Sequence, residues 1–228
     1  MKHLIRFLGP GRWTWSAPRL SRLVRDRTGV ALTEFALVLP LLLLLGLVGI
    51  DLARLAMINM QVSQIALSLA DNASRLGQTE NSAVAPTIRE ADVDAVIDGA
   101  IREGGSIDLL TNGRVIISSL EYEKDVGRQY IHWQRCRGQL PRGSAYGNDT
   151  DRNGLSGPML TGLGKGTKVS VSGRTAVMFV EIYYRYEALL DLPYGLGEKL
   201  LHREGAFLIR DDRNLGPGLT GSSSRSPC

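Results

Sequence analysis

The chain has 228 residues, of which 43% are hydrophobic and 22% charged, a composition that excludes a disordered protein and leaves room for one or two domains. Its formal net charge of +4 is unevenly spread: residues 1–29 carry +6, and the rest of the chain sums to −2. The basicity therefore belongs to a short N-terminal stretch and not to a folded face, which argues against nucleic acid as a partner.

The opening stretch holds Lys2, Arg6, Arg12, Arg19, Arg22, Arg25 and Arg27 against Asp26 and reads as a basic leader, residues 1–29. From Phe35 to Ile50 no residue is charged or strongly polar. With Val30–Glu34 added, this gives a helix of about 31 Å, one hydrocarbon thickness. The lysine and arginine bias holds the N-terminus in the cytoplasm and places everything beyond the membrane segment, 30–53, outside it. A cleaved secretory signal also has a basic start and an apolar middle, but it normally ends at a small-x-small site. Here a helical stripe continues through Leu52, Leu55, Val62, Ala66, Leu69, Ala73 and Leu76. A continuation over 54–77, stopped at Gly77, is expected. Pro40 should kink the helix modestly. Gly46 and Gly49 are one residue too close for the Gly-x-x-x-Gly contact motif.

Glu34 is the anomaly in this segment. A carboxylate one turn inside an apolar helix is costly unless it is neutralised, paired or at the interface, which makes it a functional candidate. The run Gly29-Val30-Ala31-Leu32-Thr33-Glu34-Phe35-Ala36-Leu37-Val38-Leu39-Pro40 resembles the N-terminal signature of TadE-like pseudopilins of tight-adherence pilus systems, and more broadly a type IV prepilin. The resemblance implies a cut by a membrane aspartyl peptidase, the prepilin peptidase, between Gly29 and Val30. Glu34 then becomes the fifth residue of the mature chain. Cleavage creates an ammonium at Val30, about 6 Å along the helix axis from Glu34, and a neighbouring subunit staggered by one turn could pair the two charges.

The segment 78–215 reads as an exported α+β domain. Thr87–Arg102 repeats apolar residues at Ile88, Ala91, Val96, Ala100 and Ile101, a second helix ended by Gly104 and Gly105. From Arg114 the period changes to two. Strands are expected at Arg114–Tyr122, Arg128–Cys136, Lys168–Ser172, Thr175–Leu190 and Gly205–Arg210, without helices between most of them, so the sheet should be antiparallel. In the long strand, Ala176, Met178, Val180, Ile182, Tyr184 and Tyr186 form the better core face. A long helix followed by a small antiparallel sheet is the pilin-like plan. Ile131-His132-Trp133-Gln134-Arg135-Cys136-Arg137-Gly138 also resembles a segment of TadE-like proteins. Residues 216–228, rich in Gly, Ser and Pro, read as a flexible tail.

Two cysteines, Cys136 and Cys228, are too few for a disulfide scaffold; an oxidising compartment permits a bond between them, and bonded and free states both remain open. Asp149, Asp151 and Asn153 match the start of a calcium loop, but Leu160 stands where the bidentate Glu belongs, so an Asx-rich turn is the stronger reading. Gly162–Thr167 fails the phosphate-loop spacing, and Gly154–Pro158 lacks the closing glycine of a hydrolase elbow. No cofactor and no catalytic constellation is expected. Trp133, Tyr183, Tyr184 and Tyr186 are better core residues than a ligand platform.

The sequence thus points to a non-enzymatic minor pilin or pseudopilin of a Flp-type adhesive pilus, in the bacterial inner membrane with its C-terminal domain in the periplasm. Its expected partners are the prepilin peptidase, other pilins and pseudopilins, the pilus assembly platform and the lipid bilayer. The alternative is an uncleaved single-pass envelope protein with an extracytoplasmic binding domain, for which TadG-like proteins offer a precedent.

Overall fold

The computed structural model describes residues 28–77, 85–189, 197–210, 213–221 and 228. The leader up to residue 27 lies outside the described residues. The chain divides into two compact units, Met1–Val48 and Gly49–Cys228.

In the first unit the described residues belong to α1, the helix Thr28–Ser74. Leucine and alanine lose little rotamer freedom in a helix and sustain it here, and Pro40 lies inside it without ending it. The apolar side chains of Val30, Leu32, Phe35 and Leu37, and of the leucines from 39 to 47, are exposed. Soluble proteins do not leave a contiguous apolar surface of this length in water, and lipid is the solvent it suits.

The second half of α1, in the second unit, is built differently. Ile58, Val62, Ile65, Ala66, Leu69, Ala70 and Ala73 are buried at helical spacing. Leu52, expected on this stripe, is exposed, because six residues at about 100° each turn it away from Ile58. A turn follows to Gly77.

The next elements are a short strand β1 (Ile88–Arg89) and the helix α2 (Glu90–Glu103). The Asp92 carboxylate accepts the Arg89 backbone N–H at 3.1 Å, half of a capping box. The buried face of α2 is Val93, Ile97 and Ala100; of the predicted set, Ile88 and Ala100 are buried, Val96 and Ile101 pack partly buried against the core, and Ala91 is exposed. Steps of four and three starting at Val93 trace the true core stripe. A 3-10 turn, Gly104–Ile107, and one helical turn, α3 (Leu109–Asn112), lead into the sheet.

Four strands form that sheet: β2 (Gly113–Glu123), β3 (Arg128–Arg137), β4 (Ala176–Tyr186) and β5 (Lys199–Leu208), in the order β3-β2-β4-β5 and all antiparallel. Together with α1 they make the α+β architecture of a long helix and a small antiparallel sheet. The β2–β3 register shifts between Ser119 and Leu120, an irregularity that changes which face the following residues line. A last short strand, β6 (Leu219–Thr220), pairs in parallel with β1.

One face of the sheet, with Val115, Ile117, Trp133, Ala176, Met178, Val180, Ile182, Tyr184 and Tyr186, shares a core with the buried stripes of α1 and α2. This is the predicted core face of the long strand. Full burial of each large aliphatic side chain there is worth roughly 1.5–3 kcal/mol. Gly205 of β5 marks the closest approach of the helix: a Cβ on it would lie 2.5 Å from the Ala66 carbonyl oxygen.

The opposite face is also buried, contrary to a sheet with one wet side. Leu120, Val177 and Phe179 pack with Leu163 and Val171, and Ile116 and Tyr183 with Cys136 and Leu140. The cover is the segment 138–175, which holds isolated bridges, including Leu163 with Val169, and no strand. The strand expected at 168–172 is thus a loop, paired only through the isolated bridge of Val169 with Leu163. The long strand stops at Tyr186, four residues early, and the last strand begins at Lys199, six residues before the predicted Gly205.

Candidate functional site

Gly29, Val30 and Glu34 lie at the start of α1. No described side chain comes within 4 Å of a Cβ built on Gly29, and Val30 is half exposed. The Thr33 hydroxyl donates to the Val30 carbonyl at 2.8 Å, which ties the first turn together. Glu34 is exposed and has no ion pair among the described residues, so the fold of this segment leaves its carboxylate available. Val30 and Glu34 are about 6 Å apart along the axis, one helical turn.

A second acidic group stands at the far end of the apolar run. Asp51 is buried and accepts hydrogen bonds from the Tyr186 hydroxyl at 2.6 Å and the Leu189 amide at 3.0 Å. Burial, and then the Asp51 bond, push the Tyr186 phenol up to about 12. Arg54, one turn on, lies 5.6 Å from the Tyr186 ring centroid. Three residues of α1 and β4 are thereby fixed together where the apolar run ends.

The segment Ile131–Gly138 proves to be a structural hub. Arg135 donates through Nε to Glu90 at 2.9 Å and through Nη2 to the other oxygen of the same carboxylate, a bidentate pair. Arg137 pairs with Asp98 at 3.2 Å and approaches Asp94 at 3.7 Å. Gln134 donates to Ser118 and to the Gly147 carbonyl. Cys136 is bonded to Cys228, with Cα atoms 4.9 Å apart. Gly138, at φ 113°, abuts the Gly113 carbonyl, which would lie 2.3 Å from a Cβ. The side chains of this segment hold β3, α2, the loop and the C-terminal residue in one piece.

The residues singled out for calcium go elsewhere. Asp149 accepts the Gln134 amide at 3.0 Å, Asp151 accepts from Asn148, and Asn153 accepts the amides of Leu155 and Ser156. Of the three, Asn153 makes the bond of an Asx turn, whereas Asp149 reaches the backbone of β3 and Asp151 a neighbouring side chain. No group of three or more His, Cys, Asp or Glu placed to hold a metal ion occurs among the described residues.

Beneath the loop, Glu181 is almost fully buried and accepts from the Ser144 hydroxyl, the Ala145 amide and the Tyr183 hydroxyl. Burial is the first cause that raises the Tyr183 and Tyr146 phenols above their ordinary value. His202 stacks on Tyr183 with ring centroids 4.2 Å apart. These groups form a polar seam that fastens the loop to β4 and β5. Alternation marked Glu181 only as an off-core position, and nothing in the sequence announced its burial.

Residues 29–71 match the family model of TadE-like protein. No curated protein and no solved structure matches the chain. The matched segment begins at Gly29, runs the length of the apolar helix and ends within the part of α1 packed on the sheet. It identifies the N-terminal segment as TadE-like and suggests a protein associated with the Tad pilus. The apolar helix, the one candidate membrane span among the described residues, suggests membrane anchoring.

Proposed function

We propose that the chain is a minor pilin or pseudopilin of a Flp-type adhesive pilus, synthesised with a basic leader that the prepilin peptidase removes between Gly29 and Val30. The observation that carries this reading is the TadE-like match, which starts at Gly29 and covers an apolar helix whose only ionisable side chain before Asp51 is Glu34. Removal of the leader discards the +6 stretch and leaves a new ammonium near the membrane face. The exposed Glu34 carboxylate of an adjacent subunit neutralises that charge during assembly, since an unpaired charge there is costly. The folded domain sits in the periplasm and acts by contact with other pilins and the assembly platform, without chemistry of its own.

The test is the intact mass and N-terminal sequence of membrane-extracted protein made with and without the cognate peptidase. A peptidase-dependent start at Val30 supports the reading, and Met1 in both samples replaces it with an uncleaved envelope protein. Glu34→Ala should leave export intact and weaken incorporation into the pilus; normal assembly of that variant would remove Glu34 from the mechanism.

A further inference from the structure

A cavity of about 520 Å³ opens beside α1 in the exported domain. Its wall carries both signs of charge: Arg54 and Arg185 on one count, Asp108 and Glu187 on the other, with Gln61 and Ser106 between them in the lining. A site of this volume with a few convergent polar groups has the character of a small-ligand pocket.

Its position along the helix is informative. Arg54 follows Ile50, the last residue of the apolar run, by four residues, or about 6 Å. The polar headgroup layer extends roughly 5–8 Å beyond the hydrocarbon on each side of a bilayer, so Arg54 stands at headgroup depth. Leu52 and Met57, on the same two turns, are 47% and 64% exposed and offer apolar contact to the lipid around the mouth.

Arg54 is partly committed, giving one N–H to the Glu187 carbonyl at 3.4 Å. A guanidinium has five donors, so it retains several for an anion. Asp108 has φ 50° and is the sole non-glycine residue with positive φ among those described. Backbone held in that region costs energy and persists where the surroundings demand it. Here it sets the acidic side of the cavity, at the junction of the 3-10 turn and α3.

We propose that this cavity binds the headgroup of a phospholipid bearing a phosphate and a primary ammonium, the phosphate at Arg54 and the ammonium at Asp108 and Glu187. A primary ammonium donates hydrogen bonds to carboxylates; a quaternary one cannot, and a glycerol headgroup brings no positive charge. The chain thereby reads the composition of the membrane it leaves. This inference rests on the anchoring role of α1.

The test uses the full chain reconstituted in nanodiscs of equal parts phosphatidylethanolamine, phosphatidylglycerol and phosphatidylcholine, released and weighed by native mass spectrometry. Retention of phosphatidylethanolamine about fivefold above either other lipid is expected, the gain of a single net charge-assisted hydrogen bond. Asp108→Asn should bring the ratio near parity, and asparagine tolerates the left-handed backbone, so this variant keeps the turn; Arg54→Gln, which removes a contact to the phosphate that all three lipids carry, should lower retention of all three together, and unchanged retention would overturn the phosphate half. O-phosphoethanolamine should compete for the site in detergent, and equal competition by inorganic phosphate would overturn the ammonium half of the proposal. Lipids retained in proportion to supply would overturn the cavity assignment alone. A chain that never enters the bilayer would overturn the anchoring as well.

Discussion

The Tyr186 hydroxyl donates to the Asp51 carboxylate at 2.6 Å, and so the last residue of β4 is fastened to α1 one residue after the apolar run ends. Asp51 also accepts the Leu189 amide. An acid with two donors in a buried position is a lock between helix and sheet, and its loss strands the groups that remain. Tyr186→Phe should lower the melting temperature of the folded domain. Asp51→Ala should lower it further, because two donors lose their acceptor at once. Thermal scans of the two variants check the order, and a reversed order would place the stabilisation in the hydroxyl's other bond, to the Asp51 carbonyl at 3.1 Å.

The C-terminal end of α1 depends on a residue far along the chain. Arg213 is buried and its Nη2 donates to the carbonyls of Ala73, at 3.1 Å, and Ser74. Those carbonyls have no partner within the helix and carry the negative end of its dipole. Arg213→Ala should cost about 1.5–3 kcal/mol, the range for hydrogen bonds to a charged group. Arg213→Lys should recover part of it, since a cation returns without the planar fork. Urea unfolding of both variants measures the difference.

Much of this architecture could be read from period alone, and the failures are physically consistent. The long helix, the second helix, the β2–β3 pair and the core face of β4 all follow from spacing, because each buries one face against a partner. What spacing could not show is burial by a loop: Leu140, Leu163 and Val171 are scattered through a glycine-rich segment, yet they cover the second face of the sheet. Glu90, Asp94, Glu121 and Glu181 break the apolar rhythm and are buried all the same, since each found a partner that no local pattern displays. At the candidate site, Gly29, Val30 and Glu34 were legible as a contiguous motif, whereas Asp51 and the cavity beside it depend on residues more than a hundred positions away.

The pairing of His132 with Glu121 predicts a pH dependence. The imidazole Nδ1 lies 2.8 Å from the Glu121 carboxylate, which also accepts the Ser119 hydroxyl. The bond to Glu121 raises the His132 value above the ordinary 6.5, outweighing burial. A folded-state value above the unfolded one means that the stabilisation is complete below about 6.5 and is lost as pH rises through the raised value. The stability advantage of the native chain over His132→Gln should therefore shrink between about pH 6 and pH 8. Melting curves across that range, with His202 unchanged in both proteins, isolate the effect; a constant difference would show that the pair is not titrating.

The bond between Cys136 and Cys228 ties the chain's final residue to the middle of β3 and closes a loop of 92 residues. Removing a cross-link of that span restores freedom to the unfolded chain, and roughly 2–4 kcal/mol is the expected loss. It also releases the C-terminus from the sheet, while β6 stays attached through its pairing with β1 and the packing of Leu219 on the core. Cys136→Ser and Cys228→Ser should be equally destabilised, and the double variant no more than either single one, because both partners serve one bond. Intact mass under non-reducing conditions gives the independent check: the protein should be two hydrogens lighter than the same protein after reduction. An additive loss in the double variant, or an unchanged mass on reduction, would assign the two cysteines to separate packing roles.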